Sequence, residues 1–307
     1  MRKPRALRDG DRIAIVAPAS PFSRDDFDCG VAELRSLGFE PVYDESVFDR
    51  RGYVAGTPDS RASAFTKAWE DPSVAALVAA RGGYGSVQIL PLLERSIVEG
   101  RPKAFIGYSD TTSLLTWLTL QRGIVSFHGP MIEGRLARGD GGYDRDSFTR
   151  CLRQSAPAGL LSHPGIEVLN GGEARGLLVG GTLTQLTASL GTPFAFNPPQ
   201  GCVLFIDEVG ERPFRIDRML TQLRLSGVLG RAAGVVFNEL PKCDEPSGSP
   251  TARAVVADLM QGFPGPVLFG FRSGHTPGAM LTLPFGVRAS IVSGAEPGLE
   301  IEESAVE

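Results

Sequence analysis

Cysteine is scarce in this 307-residue chain, and the four present, Cys29, Cys151, Cys202 and Cys243, lie far apart with no Cys-x-x-Cys pair. That spacing argues against a zinc ribbon and against a disulfide framework, and it suits a reducing compartment. An excess of one charge is also missing: 31 basic against 35 acidic side chains leave a formal net charge of −4. A chain so balanced has no general attraction for nucleic acid or for an anionic membrane, so any basic group that matters acts locally. No run approaches the roughly 20 apolar residues that span a bilayer. The basic start Met1-Arg2-Lys3-Pro4-Arg5 gives way to Leu7-Arg8-Asp9-Gly10-Asp11-Arg12, charged where a signal peptide needs its apolar segment. A cytoplasmic protein is expected.

What is present is ordinary for a globular protein, with 42% apolar and 21% charged residues. The length is about twice that of a common domain, enough for two domains or one large one. Residues 12–20 read as a buried strand running into a loop, followed by a helix over 27–37 and a short strand at 40–43. A helix over 60–70 and apolar runs at 74–80 and 103–107 continue the alternation. Such alternation predicts an α/β fold, with a parallel sheet covered on both faces. The pattern weakens between Tyr143 and Arg175, where Ala156-Pro157-Ala158-Gly159, His163-Pro164-Gly165 and Asn170-Gly171-Gly172 favour turns. Residues 143–175 are therefore expected to connect a first domain, 1–142, to a second, 176–307. That second half offers helices at 184–190 and 215–225 and strands at 202–206, 234–237, 267–270 and 281–283. An exposed loop is expected at 242–250.

In Phe105-Ile106-Gly107-Tyr108-Ser109-Asp110-Thr111-Thr112 an apolar strand meets the start of a helix carrying Leu114, Leu115, Trp117 and Leu118. A serine at this junction stands at the carboxyl edge of the sheet, where open α/β folds place ligands. The helix behind it offers free N–H groups to a developing oxyanion. The segment is similar to a nucleophile elbow, with Thr111 in place of the usual final glycine. Ser and Asp are equally favoured as plain helix caps, so the segment alone does not separate cap from nucleophile. Arg81-Gly82-Gly83-Tyr84-Gly85 supplies a second loop at a strand end, whose glycines let backbone approach a ligand or simply turn tightly. It lacks the spacing of a dinucleotide loop, and no Walker lysine follows.

Three histidines limit the choice of base. His163 falls in the turn-rich stretch and is expected to be solvated. His128 follows a short apolar run and either borders the cleft or packs. His275, in Ser273-Gly274-His275-Thr276-Pro277-Gly278, has small neighbours and a loop held between strands, which suits proton exchange at neutral pH. A carboxylate to orient it is offered by Asp207-Glu208, which closes the apolar run Val203-Leu204-Phe205-Ile206. Strand alternation lets only one of the two face a crevice. The order Ser, acid, His is that of α/β-hydrolases, with acid and base here in the second half.

These motifs together resemble the LD-carboxypeptidase family of serine peptidases (muramoyltetrapeptide carboxypeptidases). The likeness runs from Val16-Ala17-Pro18-Ala19-Ser20 through Arg81-Gly82-Gly83-Tyr84-Gly85, Gly107-Tyr108-Ser109-Asp110 and His128-Gly129-Pro130-Met131. It continues through Gly180-Gly181-Thr182-Leu183, Leu190-Gly191-Thr192-Pro193, the stretch from Asp207 to Leu220, Gly274-His275 and Leu283-Pro284-Phe285-Gly286. The resemblance implies an N-terminal Rossmann-like domain and a C-terminal swivelling β/α domain, with the active site at their interface. It implies a cytoplasmic homodimer that needs no metal or other cofactor and releases terminal D-Ala from murein tetrapeptides during peptidoglycan recycling. The family's serine and histidine fall on Ser109 and His275. Its catalytic Glu falls on Asp207, one methylene shorter, with Glu208 as the fallback.

The expected mechanism has Ser109 attacking the scissile carbonyl while His275, oriented by Asp207, takes its proton. Backbone N–H groups of Gly83 and Asp110 are expected to form the oxyanion hole, and Arg81, Gly82 and Tyr84 to contact substrate. Arg212, Arg215 and Arg218 are candidates for the substrate's terminal carboxylate, against a surface salt-bridging role for each. Two other readings stand beside this one. One is the microcin-immunity branch of the same family, which cleaves peptide–nucleotide antibiotics; the other is a non-catalytic module that holds a nucleotide or peptide.

Overall fold

The structure is a computed structural model that describes residues 1–93 and 100–307. It is a two-domain α/β protein built on two sheets. The first begins with β1 (Arg12–Val16), β2 (Glu40–Val42), β3 (Val74–Ala79), β4 (Ala104–Gly107) and β5 (Ser126–His128), all paired in parallel in the spatial order 5-4-3-1-2. Every residue of β3 and β4 is buried, as a parallel strand covered on both faces requires. Two helices cover this sheet. In α1 (Arg24–Ser36), Ser23 caps the N-terminus by accepting from the Asp26 N–H, and Phe27, Val31 and Leu34 point inward. In α2 (Pro58–Glu70), Thr57 is the cap, a proline stands in the first turn, and Phe65 and Trp69 are buried.

The stretch 143–175, expected to connect the domains, is itself structured. It carries a helix (Arg145–Arg153) and the strands β6 (Pro157–Ser162) and β7 (Glu167–Asn170). Its turn-forming residues mark the ends of short strands: His163-Pro164-Gly165 separates β6 from β7, and Gly171-Gly172 separates β7 from β8 (Ala174–Thr182).

Both short strands belong to the second sheet. Its remaining members are β8, β9 (Cys202–Asp207), β10 (Ala232–Asn238), β11 (Val267–Phe271), β13 (Arg288–Val292) and β14 (Gly298–Ser304). The spatial order is 6-14-13-8-9-10-11-7, so β6 and β7 stand at opposite edges. Laid flat, eight strands would separate those edges by about 34 Å, yet the short link between them reaches at most about 18 Å. The sheet is therefore not a flat row: β8 pairs with β13 through residues 174–177 and with β9 through residues 178–182. Strands β8 to β11 run parallel and the others pair antiparallel.

One late strand crosses over. β12 (Leu283–Phe285) pairs antiparallel with β5 of the first sheet, Leu283 opposite His128 and Phe285 opposite Ser126. β9 lies at the seam between the two cores. Val203 and Phe205 pack into the cluster shared with the first sheet, while Leu204 and Ile206 pack with Ile216, Leu220 and Leu223 of the helix Pro213–Leu225. Among the described residues no helix is long and apolar enough to cross a membrane.

Candidate active site

The candidate site gathers where β4 runs out. Gly107 ends the strand, Tyr108 is extended, and Ser109 takes a φ of +62°, a left-handed conformation that L-residues rarely adopt. The helical turn from Ser109 to Thr111 follows, leading into the helix Thr112–Thr116. This is the sharp strand-to-helix bend that projects a serine hydroxyl beyond the sheet. The glycine loop of residues 82–85 lies against it. A Cβ at Gly82 would stand 2.8 Å from the Ser109 Cβ and 3.0 Å from its Oγ, so only glycine allows this approach.

His275 Nε2 lies 3.1 Å from Ser109 Oγ, and its Nδ1 lies 2.9 Å from Asp207 Oδ2. An ionised carboxylate only accepts, so Nδ1 carries the proton and Nε2 is free to accept from the serine. Hydroxyl, imidazole and carboxylate thus form one unbroken relay. Asp207 is fully buried, and its remaining lone pairs are satisfied. Its Oδ1 accepts from the His275 backbone N–H at 2.8 Å and from Asn238 Nδ2 at 2.6 Å, and its Oδ2 accepts from Thr182 Oγ1 at 2.9 Å. Burial alone would raise the Asp207 pKa, but the His275 charge, the two hydrogen bonds from His275 and the neighbouring His128 outweigh it and hold the carboxyl below its ordinary range. In the same way burial pulls the His275 imidazole down while Asp207 pulls it up, and the carboxylate wins. Gly274 makes this closeness possible: its φ is +68°, and a Cβ there would overlap the Asp207 carboxyl group.

Glu208 points the other way. Its Oε2 accepts from the backbone N–H and the hydroxyl of Thr184, at 2.8 and 2.7 Å, in the first turn of the helix Leu183–Ala188. Burial raises its pKa.

The Asp110 side chain is engaged as well. Its Oδ2 accepts from the Ser86 N–H at 2.8 Å and its Oδ1 from Gln185 Nε2 at 3.1 Å, tying the nucleophile turn to the glycine loop and to the second domain. Gly83 sits over Ser20, whose Oγ accepts from the Tyr84 N–H at 3.1 Å and donates to the Tyr53 carbonyl at 2.7 Å. The Tyr84 ring is exposed and lies edge-on to that of Tyr53, with centroids 5.6 Å apart. Arg81 is exposed too, paired with Glu133 at 2.9 Å and donating to the Pro21 carbonyl.

The other sequence candidates lie outside the relay. Arg212 pairs with Glu245, Arg215 pairs with Glu211, and the Arg218 guanidinium stacks over Phe214. His163 is half-buried rather than solvated, and its Nε2 accepts from the Arg272 N–H at 3.0 Å, because the turn that holds it folds back over β11. His128 is packed, with Nδ1 3.1 Å from Ser273 Oγ and Nε2 3.9 Å from Asp207 Oδ2. Burial pushes its pKa down to about 4. Asn238, which holds the carboxylate together with Thr182, was not marked by any motif, and Thr182 stood in Gly180-Gly181-Thr182-Leu183 without a role assigned to it. Their signal was positional, since each is a polar residue ending a strand beside β9, and Thr182 is the register partner of Asp207. Among the described residues no group of three or more His, Cys, Asp or Glu could hold a metal ion.

Comparison with known proteins shows the family and the fold. Residues 13–129 match the model of the LD-carboxypeptidase N-terminal domain, and residues 175–291 that of the LD-carboxypeptidase C-terminal domain. The chain is similar to a probable murein peptide carboxypeptidase of Bacillus subtilis, 33% identical over 94% of this chain and 91% of that one. It is also similar to a murein tetrapeptide carboxypeptidase of Pseudomonas aeruginosa, 31% identical over 75% of this chain and 78% of that one. Among solved structures, a microcin C7 self-immunity protein superposes over the full length of both chains with a TM-score of 0.92 at 24% identity, a likeness of fold.

Proposed function

The chain belongs to the LD-carboxypeptidase family of serine peptidases, and we propose that it releases terminal D-Ala from murein tetrapeptides. The observation that carries this reading is the continuous relay from Ser109 Oγ through His275 to Asp207. In the reaction, His275 Nε2 takes the hydroxyl proton as Ser109 Oγ attacks the carbonyl of the bond between an L-centre and D-Ala. The resulting oxyanion is met by the Gly83 and Asp110 N–H groups. Imidazolium then gives its proton to the amine of D-Ala as the C–N bond breaks, leaving an ester on Ser109. Water, deprotonated by His275, hydrolyses that ester and restores the serine. Asp207 keeps the imidazole in the tautomer that can accept, and stabilises the imidazolium.

Arg81, Gly82 and Tyr84 are assigned to substrate contact. The exposed Tyr84 ring beside the Gly82 approach to Ser109 supports that assignment. The same reading makes the protein a cytoplasmic homodimer serving peptidoglycan recycling, without a cofactor.

The test compares the wild-type protein with Ser109→Ala, each assayed for D-Ala release from a murein tetrapeptide and, in parallel, for cleavage of an aminoacyl nucleotide conjugate. The expected result is loss of tetrapeptide cleavage by about 10⁴-fold in a folded protein. Near-wild-type turnover would remove Ser109 as the nucleophile. Cleavage of the nucleotide conjugate alone would replace the murein substrate.

A further inference from the structure

Arg135 is 95% buried, and no carboxylate stands within ion-pair distance of it among the described residues (its exposure is 5%). A buried charge so placed is costly unless every donor is used and a counter-charge is reached by some other route. All five donors are used. Nη2 donates to the Gly274 carbonyl at 2.7 Å and to the Thr276 carbonyl at 2.8 Å, and Nη1 to the carbonyls of Gly278 at 3.0 Å and Gly142 at 3.1 Å. Nε donates to the Tyr108 hydroxyl at 3.3 Å. The first two acceptors flank His275 in sequence, and Tyr108 immediately precedes Ser109.

The counter-charge is reached through a peptide bond. The carbonyl of the Gly274–His275 peptide accepts from Arg135, and the N–H of the same peptide donates to Asp207 Oδ1 at 2.8 Å. Guanidinium, peptide and carboxylate form a polarised chain, each link strengthening the next in a dry interior. We propose that Arg135 is a positioning residue that sets the place and the proton affinity of His275 through the Gly274–His275 peptide, while its contact with Tyr108 keeps that loop in register with Ser109.

Several charged or titratable groups face His275. Asp207 and Glu208 stand at the end of β9, His128 lies behind Asp207, Tyr108 packs edge-on at 5.1 Å, and Arg135 lies under the loop. Glu239 accepts from Thr276 beside it. The carboxylates favour imidazolium, whereas Arg135 disfavours it and keeps the base available for Ser109.

The experiment titrates His275 by histidine NMR in the full-length protein, where three histidines make assignment against His275→Gln direct. Wild type, Arg135→Lys and Arg135→Ala are compared, the last with and without added methylguanidine, and D-Ala release is followed on the same samples. In Arg135→Ala the His275 midpoint is expected to rise by about half a pH unit or more, as one buried positive charge is lost. Its kcat is expected to fall about 30-fold or more with little change in KM, and methylguanidine is expected to restore both. Arg135→Lys keeps the charge without the fork, so its midpoint stays near wild type while kcat falls. An unmoved midpoint in Arg135→Ala, or a loss that methylguanidine leaves unchanged, overturns the proposal. If Arg135→Ala does not fold, Arg135→Lys decides, and wild-type kcat in that variant overturns the proposal. The inference rests on the proposed role of Ser109, yet the titration needs no substrate. An active Ser109→Ala enzyme would defeat the reaction assignment, whereas a silent Arg135 beside an inactive Ser109→Ala would defeat this inference alone.

Discussion

At the scale of single residues, a part-buried imidazole, His275, and a buried one, His128, stand on either side of one carboxylate, and their pKa values are shifted in opposite directions. His275 is pulled up by Asp207, so any stability it contributes is full below the unfolded value and is lost as pH rises through its folded pKa. As the proposed base it must be neutral, so activity is expected to fall on acidification at a higher pH than an ordinary imidazole would give. His128 behaves differently. Burial holds it neutral down to about 4, while the unfolded chain takes up that proton near 6.5. Across that window the unfolded state binds more protons, so stability falls as the pH is lowered, by about 3 kcal/mol at most. Urea midpoints measured between pH 7 and pH 4 are expected to drop steeply in wild type and more gently in His128→Phe. An equally steep drop in the variant would assign the slope to another group.

At the scale of elements, β9 decides which carboxylate faces His275. Alternation sends Val203 and Phe205 to one side and Leu204 and Ile206 to the other, so Asp207 continues the first row and Glu208 the second. The sequence therefore already held the choice, once it was known which row faces the first sheet. That knowledge comes only from the fold, because both rows are fully apolar. In rate terms, Asp207→Asn is expected to slow D-Ala release by about 10³-fold or more, since an amide no longer enforces the tautomer. Glu208→Gln is expected to leave the rate within a few-fold and to cost about 1 kcal/mol of stability, through weaker hydrogen bonds to Thr184. A large rate loss confined to Glu208→Gln would reverse the assignment. Elements with strong periodicity, such as α2 and β3, were legible to within two or three residues. β6 and β7 were not, because four- and six-residue strands at sheet edges carry little apolar pattern. What specifies them is pairing with β14 and β11, which lie more than 90 residues later in the chain. Arg135 was illegible for a related reason, since three of its acceptors are backbone carbonyls of Gly274, Thr276 and Gly278, brought in from another part of the chain, and no side-chain motif announces them.

At the scale of the whole molecule, the proposed relay spans both halves of the chain, with Ser109 and His275 166 positions apart. Contacts such as Gln185 to Asp110 and the Thr182 N–H to Thr112 hold the halves in register around it. The proposed homodimer leaves this arrangement complete within one subunit. Equilibrium sedimentation is expected to give twice the 32.7 kDa chain mass, with turnover per subunit unchanged on dilution to monomer. A monomer at all concentrations would remove the dimer from the proposal. The late strand β12 has a different consequence. Because Leu283–Phe285 completes the β5 edge of the first sheet, no single cut divides the polypeptide into two self-sufficient pieces. An amino-terminal fragment would carry a bare, apolar ribbon edge prone to self-association, and a carboxyl-terminal fragment would trail a strand with nothing to pair against. The two halves of this protein are thus inseparable in production, and any rocking between them must turn about that shared ladder.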